Sequence, residues 1–194
     1  MNFQSFSWTQ QPKTQSLSTA RTFRFRLNST HLDPNNTIST LHVEHNVDKV
    51  WKPFHLDAHT PGFQIFVYSC FVCQHTYLHM NATEQGLNLA FVNGTFQLTT
   101  AQNWQVLSVE ADFDAYLSAN NADIEQRNYV ISRMKDCPVS RNLGKDVTKK
   151  TRLTIHGLHD RPKVPQPHPL RSLQVYGQQR LTNSTLMSLN SSDL

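Results

Sequence analysis

The side chains best suited to chemistry are three cysteines, Cys70, Cys73 and Cys137, together with His75 and His79, which stand close behind the first two. Four of these five lie in "CFVCQHTYLH", residues 70–79. Two thiols separated by two residues and followed by two imidazoles match a donor set of tetrahedral zinc. The same Cys-x-x-Cys spacing is a unit of dithiol redox chemistry. Helix geometry counts against both. At about 100° per residue, Cys70 and Cys73 lie within roughly 60° of each other, while His75 and His79 point to the far side. The segment from Phe63 to Gln85 contains no Gly or Pro, so nothing forces it out of a helix. No metal site is therefore expected. A redox pair of this kind also wants its first cysteine at an exposed helix N-terminus, and a helix holds an i, i+3 pair poorly for an unstrained disulfide. Three buried cysteines packing as small hydrophobes stay open as the plain reading of these residues.

The elements that would position these thiols follow from period and punctuation. "TFRFRLN" (22–28) alternates as a strand with one wet face, and "ISTLHVEHNV" (38–47) alternates again after the turn cluster "HLDPNNT". The two predict a hairpin, and "KVWKPFHLDA" (49–58) predicts a short edge piece because it holds Pro53. A helix of about six turns is predicted over 63–85, apolar nearly all round in its first half, with Gly86 as its C-terminal stop. "LNLAFV" and "TFQLTT" flank Asn93-Gly94 and predict strand, tight turn, strand. A long strand over 104–117 and a second helix over 118–136 follow. Asn120, Asn121 or Asp123 is the candidate cap, with Ile124, Ile131 and Met134 on one face. Pro138 stops that helix, and "TRLTIHG" (151–157) is the last strand. Strands grouped before and between two helices make an α+β domain. It is expected over 21–157, with disordered tails at 1–20 and at the Pro- and then Ser/Asn-rich 158–194.

Composition narrows the function classes. Of the 194 residues, 38% are hydrophobic and 16% charged, which suits one core-forming region with polar flanks. The net charge of +4 is scattered. "RTFRFR" (21–26) pairs basic with aromatic residues, but its alternation reads as a strand, so no nucleic-acid partner is expected. The longest apolar run, "FQIFVYSCFVC", falls well short of the roughly 20 residues of a membrane span. The first 20 residues lack an apolar leader core, so a cytoplasmic protein with reduced thiols is expected. The absence of Asp and Glu from residues 1–32 gives an organellar transit peptide as the alternative.

Two stretches resemble a known family. "CQHTYLHMNATEQGL", from Cys73 to Leu87, looks like the first central helix of the OsmC/Ohr thiol peroxidases, with Ala82 and Gly86 in register. "CPVSRNL", from Cys137, looks like that family's second cysteine motif. The resemblance spans roughly residues 22–156. It implies an OsmC-like fold assembled as an intertwined homodimer, and a peroxidase that reduces organic or fatty-acid hydroperoxides without a cofactor. Cys73 would be the peroxidatic thiol, forming a sulfenic acid. Cys137 would be the resolving thiol, condensing with it to an intramolecular disulfide that a dithiol reductant of lipoyl or thioredoxin type reopens. Phe66, Tyr77 and Met80 are candidates to line an apolar substrate pocket. The chain departs from the pattern at two places. Gln64 stands at the usual acidic position, and "NSTHLDPNNT" holds no arginine in register, Arg24 and Arg26 lying just before it. A buried thiol without a cationic partner keeps a raised pKa. The second function expected is therefore a small-molecule-binding or interaction module of the same fold.

Overall fold

Alternation along the first strand sets the architecture. The structure, a computed structural model, describes residues 20–32, 34–119 and 121–157. Strand β1 (Arg21–Leu32) turns Phe25, Leu27, Ser29 and His31 inward and leaves Arg24, Arg26 and Asn28 outside. It pairs antiparallel with β2 (Thr37–Val47), forming the expected hairpin. Strand β3 (Val50–Pro53) completes that edge, ending at Pro53 as an edge strand should. Helix α1 (Gly62–Glu84) follows, then β4 (Leu89–Thr100), β5 (Val106–Leu117), α2 (Ile124–Lys135), a short α3 (Pro138–Asn142) and β6 (Thr148–His156). The six strands form one sheet in the order β3-β2-β1-β4-β5-β6, and only β5 and β6 run parallel, with α2 and α3 in the crossover. The expected α+β arrangement of three strands, a long helix, strands, a helix and a strand holds.

Helix α1 ends in a Schellman motif. Gly86 adopts φ 68°, its N–H donates to the Thr83 carbonyl at 2.9 Å, and the Leu87 N–H donates to Ala82 at 2.9 Å. The inward face of α1, from Val67 through Phe71 to Leu78 and Ala82, packs on the sheet. The expectation that its first half is buried on most sides needs correcting for the single chain. Within that half Ile65 is 41% exposed, and further along the helix Met80 is 56% exposed.

The Asn93-Gly94 turn does not form. Both residues lie inside β4, which runs unbroken for 12 residues. Gly94 pairs with Leu27 on one side and Phe113 on the other. A Cβ there would fall 2.8 Å from the Phe113 ring and 3.1 Å from Phe71, so this glycine makes room for stacked aromatic packing instead of bending the chain. Asn93 faces outward and accepts from Asn28 Nδ2 at 2.7 Å. The chain reverses instead at 101–105, where Trp104 has φ 68°.

The second helix is shorter than expected. Asp123 caps it in a reciprocal capping box with Gln126, its side chain accepting from the Gln126 N–H at 2.8 Å. The helix buries Val130 and Met134, whereas Ile124 is 67% exposed and belongs to no core face. Pro138 both ends this run and starts α3 at its first position. The tails expected at 1–20 and 158–194 lie outside the described residues save for Ala20, as does the candidate cap Asn120. Among the described residues no helix is long and apolar enough to cross a membrane.

Candidate active site

Helix α1 presents two thiols and the loop between α2 and α3 presents the third. Cys70 faces the sheet and is buried among core side chains, and Cys73 is half-buried one turn further on. Cys137, fully buried, is the N-cap of α3: the Ser140 N–H is aimed at its sulfur at 3.5 Å. The fold brings Cys73 and Cys137 together although 64 positions separate them in sequence. All three thiols are free.

Burial dominates the electrostatics of the Cys73 sulfur and raises its pKa. The Val139 backbone N–H, at the start of α3, favours the thiolate, while the neighbouring Cys137 opposes it. Among the described residues no cation contributes to holding this thiol down. Arg24 and Arg26 cannot serve within the chain, because strand alternation puts them on the outer sheet face. There Arg24 donates to Gln97 at 2.9 Å, and Arg26 pairs with Glu44 and stacks over Trp51. Cys70 is pushed up to about 12, first by burial and then by the charges that Cys137 and Cys73 would carry. That makes Cys70 a poor nucleophile at neutral pH.

A cavity of about 520 Å³ opens between α1 and α3; neither sulfur lines it, but Pro138, next to Cys137 in sequence, does. Phe66, Val106, Pro138, Val139, Leu143 and Val147 give it apolar walls. Cys73 lies one turn along α1 from Ser69, another wall residue, and Val139 belongs to both the wall and the thiol's surroundings. Of the expected lining residues, Phe66 is in the wall. Tyr77 packs against the core instead and Met80 is exposed, so neither lines this cavity.

Sequence reasoning passed over the polar groups beneath Cys137. Its thiol donates to Ser140 Oγ at 3.2 Å, which also receives Gln74 Nε2 at 3.1 Å. Gln74 is in turn held by the Thr151 hydroxyl at 3.3 Å, on β6. Lys149 Nζ donates to the Ser140 and Leu143 carbonyls at 3.0 and 3.1 Å, closing the C-terminal end of α3. A cap residue, a proline and a serine three residues on, the "CPVS" of 137–140, was the one sequence signal for this arrangement.

The histidines form a separate cluster, away from the thiols as helix geometry requires. His31 of β1 and His75 and His79 of α1 have ring centroids 5.8 to 6.2 Å apart. His31 Nδ1 faces the Asn36 carbonyl at 3.0 Å, so that nitrogen carries the proton. Its Nε2 then accepts from the Ser29 hydroxyl at 2.9 Å, and Ser29 Oγ accepts from His75 Nε2–H at 2.8 Å. His75 Nδ1 is left as a bare, buried lone pair without a partner. Burial, and then the charges His31 and His79 would carry, hold His75 down at about 3. Among the described residues no three His, Cys, Asp or Glu side chains are arranged to hold a metal.

No protein-family model matches the chain, and no curated protein matches it. The comparison with solved structures finds OsmC-like and organic hydroperoxide resistance proteins. An OsmC-like hydroperoxide resistance protein from Jannaschia sp. CCS1 is 16% identical with a TM-score of 0.45, over 64% of this chain and 87% of that one. An OsmC-like protein from Mycoplasma pneumoniae is 10% identical with a TM-score of 0.43, over 66% and 95%. The organic hydroperoxide resistance protein OhrB of Bacillus subtilis is 15% identical with a TM-score of 0.34, over 72% and 100%.

Proposed function

We propose that the chain is a cysteine-based peroxidase that reduces organic hydroperoxides through Cys73 and Cys137. The Cys73 thiolate attacks the terminal oxygen of the O–O bond. This releases the alcohol and leaves a sulfenic acid on Cys73. Cys137 then attacks the Cys73 sulfur, an S–S bond forms, and the sulfenic oxygen leaves as water. An external dithiol of lipoyl or thioredoxin type reopens the disulfide. The observation that carries the reading is the meeting of two sequence-distant thiols, with an apolar cavity walled by the neighbouring Pro138 and able to take an alkyl chain. A pulse of stoichiometric tert-butyl hydroperoxide followed by intact-mass measurement tests it. Rapid loss of two hydrogens, abolished in Cys73→Ser, is the expected result. Oxidation no faster than that of a free thiol refutes it.

A second reading has its own support. Burial raises the Cys73 pKa with no cation among the described residues to offset it, which favours a binding or interaction module with slow thiol chemistry. In either reading the chain acts as a homodimer, the second copy covering the outer side of α1, where Ile65 and Met80 are exposed.

A further inference from the structure

Ser140 has a place in the site that the reaction as drawn does not use. Its Oγ lies 3.2 Å from the Cys137 sulfur and its own backbone N–H lies 3.5 Å from the same sulfur. A hydroxyl can accept from a thiol and, by rotating, donate to a thiolate, whereas the N–H can only donate. Gln74 Nε2–H occupies one of the two Oγ lone pairs from the α1 side. In the structure Gln74 turns its Nε2–H to Ser140 and its Oε1 to the Thr151 hydroxyl. In that orientation Ser140 meets a donor from the α1 side. Cys137, Gln74 and Ser140 are sealed from solvent, at 0%, 2% and 5% exposed, with Thr151 half-buried behind them. In such a site a thiolate finds no water, so hydrogens supplied by protein decide whether it can form.

We propose that Ser140, oriented by Gln74 and Thr151, is a positioning residue that carries Cys137 from thiol to thiolate during disulfide closure. The proposal rests on the peroxidase reading for the identity of the first step, though the closure it describes requires only an oxidised Cys73. In the resting state Ser140 Oγ accepts the Cys137 S–H. As closure begins, the Cys137 proton passes to the oxygen leaving Cys73. The Ser140 hydroxyl rotates so that its O–H and the backbone N–H both point at the thiolate sulfur. That sulfur attacks Cys73, the S–S bond forms, the S–O bond breaks and water departs, so atoms and protons balance. Among the described residues, the ionisable groups that meet Cys137 or its α3 turn include the Cys70 and Cys73 thiols of α1 and Lys149 of β6. The lysine donates to the Ser140 and Leu143 carbonyls.

Closure is measured in two independent arms on the full chain, by acid quench and intact mass. One arm starts from tert-butyl hydroperoxide, giving Cys73 one oxygen heavier. The other starts from glutathione disulfide, giving a mixed disulfide on Cys73 with no peroxide chemistry involved. In Ser140→Ala the intermediate accumulates in both arms, closure slows about ten- to hundredfold, and its pH profile moves to higher pH. Ser140→Thr, which keeps the hydroxyl, restores closure. Gln74→Met, of similar size but without the donor, slows it in the same direction and serves as the second variant should Ser140→Ala fold poorly. Closure at the wild-type rate and pH profile in both Ser140→Ala and Gln74→Met overturns the proposal. Slowing of the initial attack on hydroperoxide by the same factor as closure also overturns it, since that marks a general structural loss. If hydroperoxide leaves Cys73 untouched while the glutathione arm behaves as described, the peroxidase reading fails and the role of Ser140 stands. If the wild type closes in neither arm, both fail.

Discussion

His75 makes this fold sensitive to acid to an extent that can be worked from its surroundings. The ring is fully buried, donates Nε2–H to Ser29, and leaves Nδ1 without a hydrogen-bond partner among the described residues. Protonating Nδ1 would bury a charge beside His31 and His79, so the folded-state pKa falls from 6.5 to about 3. Above pH 6.5 the ring is neutral in both folded and unfolded chains and pH has no effect through it. Below 6.5 the unfolded chain takes up a proton that the folded chain refuses, so stability falls as pH falls. The slope approaches about 1.4 kcal/mol per pH unit; the accumulated loss is about 2 kcal/mol near pH 5, about 4 kcal/mol at the folded value and about 5 kcal/mol below it. That is comparable to the whole stability of an ordinary domain. His31 and His79 are lowered by the same burial and add in the same direction. The assay is urea unfolding at a series of pH values for the wild type and for His75→Gln, whose amide N–H can still donate to Ser29. The variant should lose stability less steeply below pH 6.5, so that the two curves converge or cross as pH falls. Other titrating groups are common to both proteins and cancel in the difference. Parallel curves from about pH 7.5 to pH 5 would refute the reasoning, because His75 would then titrate as freely when folded as when unfolded.

Further outcomes are expected from other parts of the structure. The Cys73 thiol, raised by burial, should be alkylated by iodoacetamide with a pH midpoint above that of a free thiol; a midpoint below it would mean a cation other than those of the described residues holds it down. Gly94→Ala drives a Cβ to 2.8 Å from the Phe113 ring and should lower unfolding stability by about 1–3 kcal/mol, whereas an unchanged urea midpoint would mean the aromatic stack yields freely. If two copies pair through the outer side of α1 as proposed, replacing Ile65 and Met80 together by lysine should lower the sedimentation coefficient from dimer to monomer while leaving circular dichroism intact; a monomeric wild type or an unchanged coefficient would refute that contact.

The chain's local order was legible without coordinates. Alternation in 22–28 and 38–47 names a hairpin and its wet face, because a period of two leaves one register that buries Phe25 and Leu27. Gly86 marks the end of α1 because a left-handed residue is needed there and glycine adopts it without strain. Helix periodicity alone separates the thiols from His75 and His79. The tertiary structure decided what depends on neighbours distant in sequence. Asn93-Gly94 carries a turn signature, yet β1 and β5 flank it on both sides and Phe113 fills the space above Gly94, so a continuous strand is the better-packed outcome. His31 joins His75 and His79 only when β1 lies against α1, and no spacing in the sequence records that contact. Gln74, Ser140 and Thr151 are unremarkable polar residues until α1, α3 and β6 converge and bury the first two. The sequence determines which face each element offers; which faces meet, and so which thiol finds which partner, is set by the long-range pairing of the sheet and the helices packed on it.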